Sequence, residues 1–290
     1  MRVLLGVFPK RGILYALLDN RFPQGGAIRP RAKYMMKKPP RLMKVKLGSP
    51  ATLSIPIYSK SERILLWCDD GVFEPSVDTE FLLNTTLASP EWKKLRKPRL
   101  IDVGCGSGAI GISLCMLKPE SRCCFLDVDP RAVGSTRINA RIAKLLRRSE
   151  FVTSDARIFL GSPGRVYDLA LSNPPYVPLP IKGAHSHSQS SAYAGLDLLK
   201  GLVKNDWRRY RRLIVVASSC SLGLVERQLQ STRCTIRYLE KNLKVAFSIG
   251  GVLDDKNWKR HLLRQGWIEQ DSTSLTGYSH LISVLMLSYV

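Results

Sequence analysis

From about residue 98 onward, the chain alternates short apolar runs with longer helix-like segments. The apolar runs lie at 99–104, 122–127, 166–172 and 212–219. The helix-like segments lie at 108–118, 130–148, 193–204 and 222–231. Strands separated by helices connect through right-handed crossovers, which makes them parallel neighbours in a sheet covered on both faces. The pattern therefore predicts an α/β, Rossmann-like fold, and the final apolar run at 281–290 predicts an antiparallel closing strand.

A glycine-rich loop follows the first of these strands. Gly104, Gly106 and Gly108 stand at alternate positions between the apolar run and the next helical segment. Glycines here permit a tight turn and let the backbone approach a ligand closely. Because Gly106-x-Gly108-x-x-Gly111 also matches the dinucleotide fingerprint, the loop alone leaves a nicotinamide-dependent oxidoreductase open.

Three aspartates near strand ends narrow the identity of the ligand. Asp127 ends the second strand, where a carboxylate can bind a ribose diol. Asp155, in Val152-Thr-Ser-Asp155-Ala156, follows a further strand between the runs at 122–127 and 166–172, where it can accept from an adenine amino group, and we group Ala156 with it. Asp102 lies two residues before the first glycine, where a carboxylate favours a cationic ligand over a phosphorylated one. Together they predict S-adenosyl-L-methionine as cofactor, although turn or cap roles explain each aspartate singly.

The sequence Asn173-Pro-Pro-Tyr176 ends another apolar run. An amide or aryl amino nitrogen is hard to methylate because its lone pair is delocalised. The side-chain oxygen of Asn173 and the carbonyl of Pro174 can accept from both N–H groups and direct the lone pair at an electrophile. The prolines stiffen this backbone, and the Tyr176 ring can stack on a planar group. We therefore predict Asn173, Pro174 and Tyr176 as catalytic residues, with strand termination by proline as the simpler interpretation.

These motifs together resemble class I S-adenosylmethionine-dependent methyltransferases of the HemK/PrmC family. The segment 71–83, with Glu74-Pro-x-x-Asp78-Thr79, resembles that family's archaeal and eukaryotic branch. The resemblance implies a seven-stranded methyltransferase sheet and methylation of a glutamine amide in a translation release factor, held between Asn173 and Tyr176. A small activating partner subunit is among the partners we consider. By the matching positions, the cofactor would be lined by Thr79, Asp102, Gly104, Asp127, Asp155 and Asn173.

The positive charge is concentrated at the two ends of the chain. The net charge of +22 divides into +12 for residues 1–67, +2 for 68–199 and +8 for 200–290. Basic ends around a nearly neutral centre indicate contact with a polyanion such as RNA, although a general basic bias gives the same numbers. An adenine or guanine amino-methyltransferase acting on rRNA, tRNA or DNA therefore stays open, as does a non-catalytic RNA-binding subunit.

The chain divides at the Pro- and Gly-containing basic stretch near its start. We expect residues 1–66 to form an N-terminal arm or small β lobe and 67–290 the methyltransferase domain, with 255–290 as a candidate added element. The longest apolar runs fall short of the roughly 18 residues that span a bilayer, which predicts a cytoplasmic protein without a membrane partner. The cysteines form no C-x-x-C pair, so we expect no metal site.

Overall fold

The computed structural model describes residues 50–57, 60–178, 187–205, 208–230, 232–247 and 253–289. Residues 1–49, which make up most of the predicted N-terminal extension, lie outside the described residues. The described part of the extension is an antiparallel hairpin of β1 (Pro50–Ile57) and β2 (Lys60–Trp67). Ile64 and Leu66 of β2 are buried in the same core cluster as Leu82 and Leu100. The hairpin is therefore packed onto the domain, although the predicted boundary falls at residue 66.

The centre of the fold is one mixed sheet. Its strands are β3 (Arg99–Val103), β4 (Arg122–Asp127), β5 (Ser149–Thr153), β6 (Leu169–Ser172), β7 (Arg212–Ser218), β8 (Cys234–Ala246), β9 (Glu269–Gln270) and β10 (Tyr278–Tyr289). The order along the sheet is β5-β4-β3-β6-β7-β10-β8, and the short β9 pairs with the start of β10. All pairs from β5 to β7 are parallel, whereas β10 runs antiparallel to β7 and β8. The seven-stranded path and the antiparallel closing strand are confirmed.

Helices cover the sheet on both faces. They are α1 (Val77–Ala88), α2 (Pro90–Lys94), α3 (Ala109–Leu117), α4 (Pro130–Ile142), α5 (Ala156–Gly161), α6 (His187–Lys204), α7 (Leu222–Leu229) and α8 (Lys256–Arg264). Successive side chains of β4 alternate between two core clusters: Cys123 and Phe125 pack with one, and Cys124 and Leu126 with the other. Because side chains of a strand point alternately to opposite faces, this strand is buried on both sides.

One predicted helix is shorter than expected. The pattern predicted a helix over 130–148, but α4 ends at Ile142 and Lys144 takes a positive φ of 59°. Arg148 ends the short 3-10 turn that follows, and its guanidinium donates to three main-chain carbonyls, each at 3.1 Å. The cation therefore fixes the end of α3 rather than continuing a basic helix face.

The last strand occupies a place inside the sheet. β10 lies between β7 and β8, and Ile282, Val284 and Leu285 are fully buried. The predicted added element at 255–290 therefore includes a core strand. The described stretch 253–270, with α8 and β9, lies outside the seven-stranded path.

Among the described residues, no helix is both long enough and apolar enough to cross a membrane. The same part of the chain holds no group of three or more His, Cys, Asp or Glu side chains placed to bind a metal ion.

Candidate active site

The predicted site residues meet at one edge of the sheet. Because β3, β4, β5 and β6 are parallel, their carboxyl ends lie at the same edge. The glycine loop follows β3, Asp127 ends β4, Asp155 follows β5 and Asn173 follows β6. The Ser172 hydroxyl donates to the Val103 carbonyl at 2.8 Å and ties the ends of β3 and β6 together. The fold thus brings the motifs of four separate chain segments to one place.

The glycine loop needs its glycines for two different reasons. Gly104 and Gly106 have positive φ angles of 71° and 54°, which side chains of L-residues rarely adopt. A side chain on Gly104 would meet nothing within 4 Å, so this part of the loop borders open space. At Gly108 a Cβ would lie 2.8 Å from the Thr136 methyl carbon, so packing as well as its φ of 81° requires glycine. The main-chain N–H groups of Gly104 and Cys105 donate to the Leu126 carbonyl at 2.8 and 3.1 Å.

Asp127 connects the end of β4 to the glycine loop. One carboxylate oxygen accepts from the Gly106 N–H at 3.0 Å and the other from the Asp129 N–H at 3.0 Å. Burial raises the pKa of Asp127 above its ordinary value. Each carboxylate oxygen keeps a second lone pair, so Asp127 can accept from further donors such as ribose hydroxyls.

Asp102 lies beneath the loop. Its side chain is fully buried, and Oδ2 accepts from the Gly111 N–H at 2.9 Å near the start of α3. Oδ1 has no hydrogen-bond partner among the described residues. Burial raises the pKa of Asp102 to about 7. Asp102 therefore anchors the first turn of α3. Its contact with a cationic ligand, predicted from the sequence, stays a prediction that requires access to Oδ1.

Asp155 is engaged by its neighbour Arg157. As N-cap of α5 it accepts from the Arg157 N–H at 2.8 Å, and the Arg157 guanidinium donates to both carboxylate oxygens at 3.0 and 2.6 Å. The hydrogen bond from Arg157 holds the pKa of Asp155 below its ordinary value. These contacts are those of a helix N-cap, which was the simpler interpretation of Asp155 from the sequence. An adenine amino group would have to share or displace Arg157, and Ala156 begins the helix beside it.

The side chain of Asn173 belongs to a polar cluster of Asp78, Thr79, Asn173 and Tyr176, which we call the Asn173 cluster. The Asn173 amide nitrogen donates to Asp78 Oδ2 at 3.0 Å and to Thr79 Oγ1 at 3.2 Å. The Tyr176 hydroxyl donates to the same Asp78 oxygen at 2.7 Å. Asp78 is only 6 % exposed, so these bonds form away from bulk water.

The cluster fixes the direction of the Asn173 side chain. Because its N–H groups are taken by Asp78 and Thr79, the amide oxygen points away from them. That oxygen is buried and has no partner among the described residues. A buried acceptor without a donor costs about 1–3 kcal/mol, which a hydrogen bond from a further donor would offset.

The first turn of α1 supplies the carboxylate at the centre of the cluster. Asp78 Oδ1 accepts from the Thr79 N–H at 3.0 Å and from the Ser76 hydroxyl. A helix N-terminus favours negative charge, which stabilises the buried carboxylate. Burial raises the pKa of Tyr176 well above its ordinary value, so Tyr176 remains a hydroxyl donor.

Sequence reasoning did not assign two residues of this region. The Asp78-Thr79 segment pointed to Asp78 as well as to Thr79, but only Thr79 was assigned to the site. His280 on β10 carried no signal, because only the fold brings it near Tyr176. Its ring lies 6.0 Å from the Tyr176 ring and meets Phe247 edge to face at 5.2 Å. His280 is 5 % exposed, and its Nδ1 has no partner among the described residues.

His280 is expected to make the fold sensitive to acid. Burial lowers its pKa to about 4, against the opposing effect of Asp78. In the unfolded chain the imidazole takes up a proton near pH 6.5, whereas in the folded chain it does so only near pH 4. Acidification from pH 6.5 towards pH 4 therefore favours unfolding. Between pH 7 and pH 5 this group should remove about 2 kcal/mol from the free energy of unfolding. Urea unfolding of wild type and His280→Phe at both pH values measures it. Equal pH dependence of the two proteins would contradict the assignment.

Comparison with protein families gives a match over the centre of the chain. Residues 64–183 match the model of the methyltransferase small domain. This stretch contains the Asn173 cluster, the glycine loop, Asp127 and Asp155. The match supports a class I methyltransferase domain, in agreement with the sheet order, and it supports S-adenosyl-L-methionine as the cofactor.

Individual relatives cover part of the chain. A release factor glutamine methyltransferase of Chlorobaculum tepidum is 36 % identical over 115 residues, 38 % of this chain and 39 % of its own. A ribosomal RNA small subunit methyltransferase C of Pseudomonas putida is 32 % identical over 173 residues, 55 % of this chain and 50 % of its own. The chain thus spans half or less of these relatives. A solved T. thermophilus 16S rRNA methyltransferase in complex with AdoMet and guanosine is 15 % identical, with a TM-score of 0.49 and coverage of 88 % of this chain and 53 % of its own.

Proposed function

We propose that this chain is an S-adenosyl-L-methionine-dependent N-methyltransferase that acts on a planar amide or amino nitrogen. The observation that carries the proposal is the buried Asn173 amide oxygen, which has no donor among the described residues and is oriented by Asp78 and Thr79. An acceptor held in this way suits a substrate N–H group. The match of residues 64–183 to a methyltransferase domain supports the same class of reaction.

The residues at the edge of the sheet fit the cofactor. The glycine loop borders open space at Gly104, Gly106 donates its N–H to Asp127, and Asp127 can accept further bonds from ribose hydroxyls. Val128, 61 % exposed directly after Asp127, offers an apolar surface to a base. We assign Gly108, Asp155, Ala156, Thr79, Asp102 and Asn173 to the same site. When bound, the cofactor supplies an electrophilic methyl group.

In the proposed mechanism, the chain acts chiefly by holding the substrate. The Asn173 Oδ1 atom and the Pro174 carbonyl accept the two N–H groups of the target nitrogen and turn its lone pair toward the methyl group. Asp78 keeps the Asn173 amide from rotating, because its Oδ2 accepts from the amide nitrogen. The Tyr176 ring packs beside the target, while its hydroxyl stays on Asp78. The nitrogen becomes more acidic once methylated, so the proton can leave without a strong general base.

Two acceptors are supported by different observations. The Asp78-Thr79 and Asn173-Pro-Pro-Tyr176 segments, together with relatives named as release factor glutamine methyltransferases, support a glutamine amide in a release factor. The net charge of +22 and a relative named as a ribosomal RNA methyltransferase support a nucleobase amino group in RNA. Nothing among the relatives supports a small activating subunit, and we do not propose one.

The acceptor is identified by following the methyl group. The full chain is incubated with methyl-tritiated S-adenosyl-L-methionine and either deproteinised cell RNA or a purified release factor. We expect label in one of the two fractions, because the Asn173 cluster accepts a planar nitrogen of either kind. Label in neither fraction, from a protein that binds S-adenosylhomocysteine, would contradict the proposed function.

Cofactor choice is tested separately by calorimetry. We expect S-adenosylhomocysteine to bind and NAD to bind far more weakly, because the Asp127 carboxylate lies against the glycine loop that a pyrophosphate would have to approach. Preferential binding of NAD would instead favour the oxidoreductase that the glycine pattern leaves open.

A further inference from the structure

Helix α8 is attached to the segment that carries the Asn173 cluster. The Trp258 indole N–H donates to the Pro178 carbonyl at 3.2 Å. Trp258 also belongs to a hydrophobic cluster with Tyr176, Val177 and Leu262. Pro178 lies five residues after Asn173, which an extended chain spans in about 18 Å. The helix is therefore part of the rim of the candidate active site.

The outer face of α8 carries three cations together with the neutral Asn257, and the exposed N-cap Asp255 stands directly before it. Lys256, Arg260 and Arg264 are exposed and follow one another at four-residue intervals, which puts them on one face of the helix. Within the described part of the chain, none of the three forms an ion pair with a carboxylate. The helix contains no acidic residue. The three cations therefore stand as a stripe about 12 Å long.

Aromatic rings lie on the flank and the inner face of α8: His261 stands three residues before Arg264 and neighbours it on the helix surface, whereas Trp258 lies on the face that packs against Pro178. The rings of Trp258 and His261 are stacked at 4.9 Å, and Trp267 meets His261 edge to face at 5.6 Å. All three residues are half-buried. Aromatic rings next to cations are the combination that binds single-stranded nucleic acid, because bases stack while cations meet phosphates.

We propose that α8 is an RNA-binding surface that holds the phosphate backbone of the substrate while the target base lies at Asn173. This inference rests on the proposed function and selects RNA as the substrate class. A stripe of about 12 Å is long enough to meet only a few consecutive phosphates of a single strand. An acidic peptide would also satisfy the cations, but it lacks the regularly spaced bases that could stack on the His261 and Trp267 rings.

The test compares two triple substitutions that remove equal charge. One replaces Lys256, Arg260 and Arg264 with glutamine. The matched control replaces Lys93, Lys94 and Arg96 with glutamine, since these are exposed basic residues on or just after α2, before the amino end of β3. Binding of the full chain to a fluorescein-labelled mixed-sequence RNA of about 30 nucleotides is measured by anisotropy over a range of KCl concentrations. S-adenosylhomocysteine binding verifies that each variant is folded.

Each cation on a phosphate of a single strand contributes about 0.7 to the slope of log affinity against log salt. We therefore expect the α8 variant to lose about 2 from this slope, and at least tenfold in affinity at low salt, while the control keeps the wild-type slope. A wild-type slope in the α8 variant, an equal loss in the control, or no RNA binding by the wild type would overturn the inference. The inference would also be overturned if the α8 variant kept RNA binding but no longer methylated a release factor, because α8 would then serve a protein substrate. Because RNA binding is measured without turnover, an α8-dependent slope in a protein that transfers no methyl group would contradict only the proposed function.

Discussion

Replacing Asn173 with alanine is expected to reduce methyl transfer about a thousandfold while S-adenosylhomocysteine still binds. The substitution removes the one oriented side-chain oxygen that holds the target nitrogen, and loss of a single preorganised polar contact of this kind costs about 100- to 1,000-fold in turnover. The amide nitrogen that Asp78 and Thr79 accept from disappears as well, but neither residue depends on it for its other bonds. Turnover is measured with tritiated cofactor and the acceptor that takes label in wild type.

Two further variants test whether the lost turnover comes from the missing Asn173 amide rather than from a general effect of the substitution. Asn84→Ala is the matched control, because Asn84 is exposed on α1 and undergoes the same chemical change. Asn173→Asp keeps the size of the side chain but places a second carboxylate against Asp78, so we expect it to be as inactive as alanine. Near-normal turnover in Asn173→Ala would contradict the mechanism.

Replacing Asp78 with alanine should cost about 100-fold in kcat, although Asp78 itself does not touch the substrate in the proposed mechanism. Its carboxylate accepts from both Asn173 and Tyr176, so its loss frees the Asn173 amide to rotate. Asp78→Asn keeps the shape but loses the charge, and charge-assisted hydrogen bonds are about twice as strong as neutral ones. We therefore expect asparagine to restore about tenfold of the lost kcat, with KM for the cofactor changing less than kcat.

A double-mutant cycle separates this positioning role from a general loss of structure. Tyr176→Phe removes one of the two donors to Asp78 Oδ2. If Asp78 acts through the cluster, adding Tyr176→Phe to Asp78→Ala should cost almost nothing more, because the shared bond is already absent. Fully additive losses, or equal loss of S-adenosylhomocysteine binding, would show that Asp78 supports the fold rather than the geometry of Asn173.

The strands that build the site were predictable because they are buried on both faces. Continuous apolar runs bounded by glycine, proline or aspartate gave β3, β4 and β7 nearly to the residue. The strand β8 was missed because it pairs with β10 alone among the described strands, and most of its side chains are at least partly exposed, so it has no apolar run. The end of α4 was missed because Arg148 is used to bind carbonyls, which charge periodicity does not reveal.

The chemistry of the site was predictable only where one short segment contained it. Asn173, Pro174 and Tyr176 are contiguous, so their joint role could be argued from the sequence. The bond between Asp78 and Asn173 joins residues 95 positions apart, and local patterns carry no information on such a pair. Asp155 could be placed at its strand end, but its partner Arg157 is two residues away on a helix start, where the cap role competes with any ligand.

The central claim is that the methyl group goes to a planar nitrogen held by Asn173, and the identity of the methylated product tests it most directly. The labelled acceptor from the wild-type reaction is digested to single residues or nucleosides, and the methylated species is identified by mass spectrometry and chromatography against standards. We predict an N-methylated side-chain amide or an N-methylated exocyclic amino group of a base, absent from the Asn173→Ala reaction. A methyl group on a ring carbon or a ribose hydroxyl, or an N-methylated product formed equally by Asn173→Ala, would contradict the account.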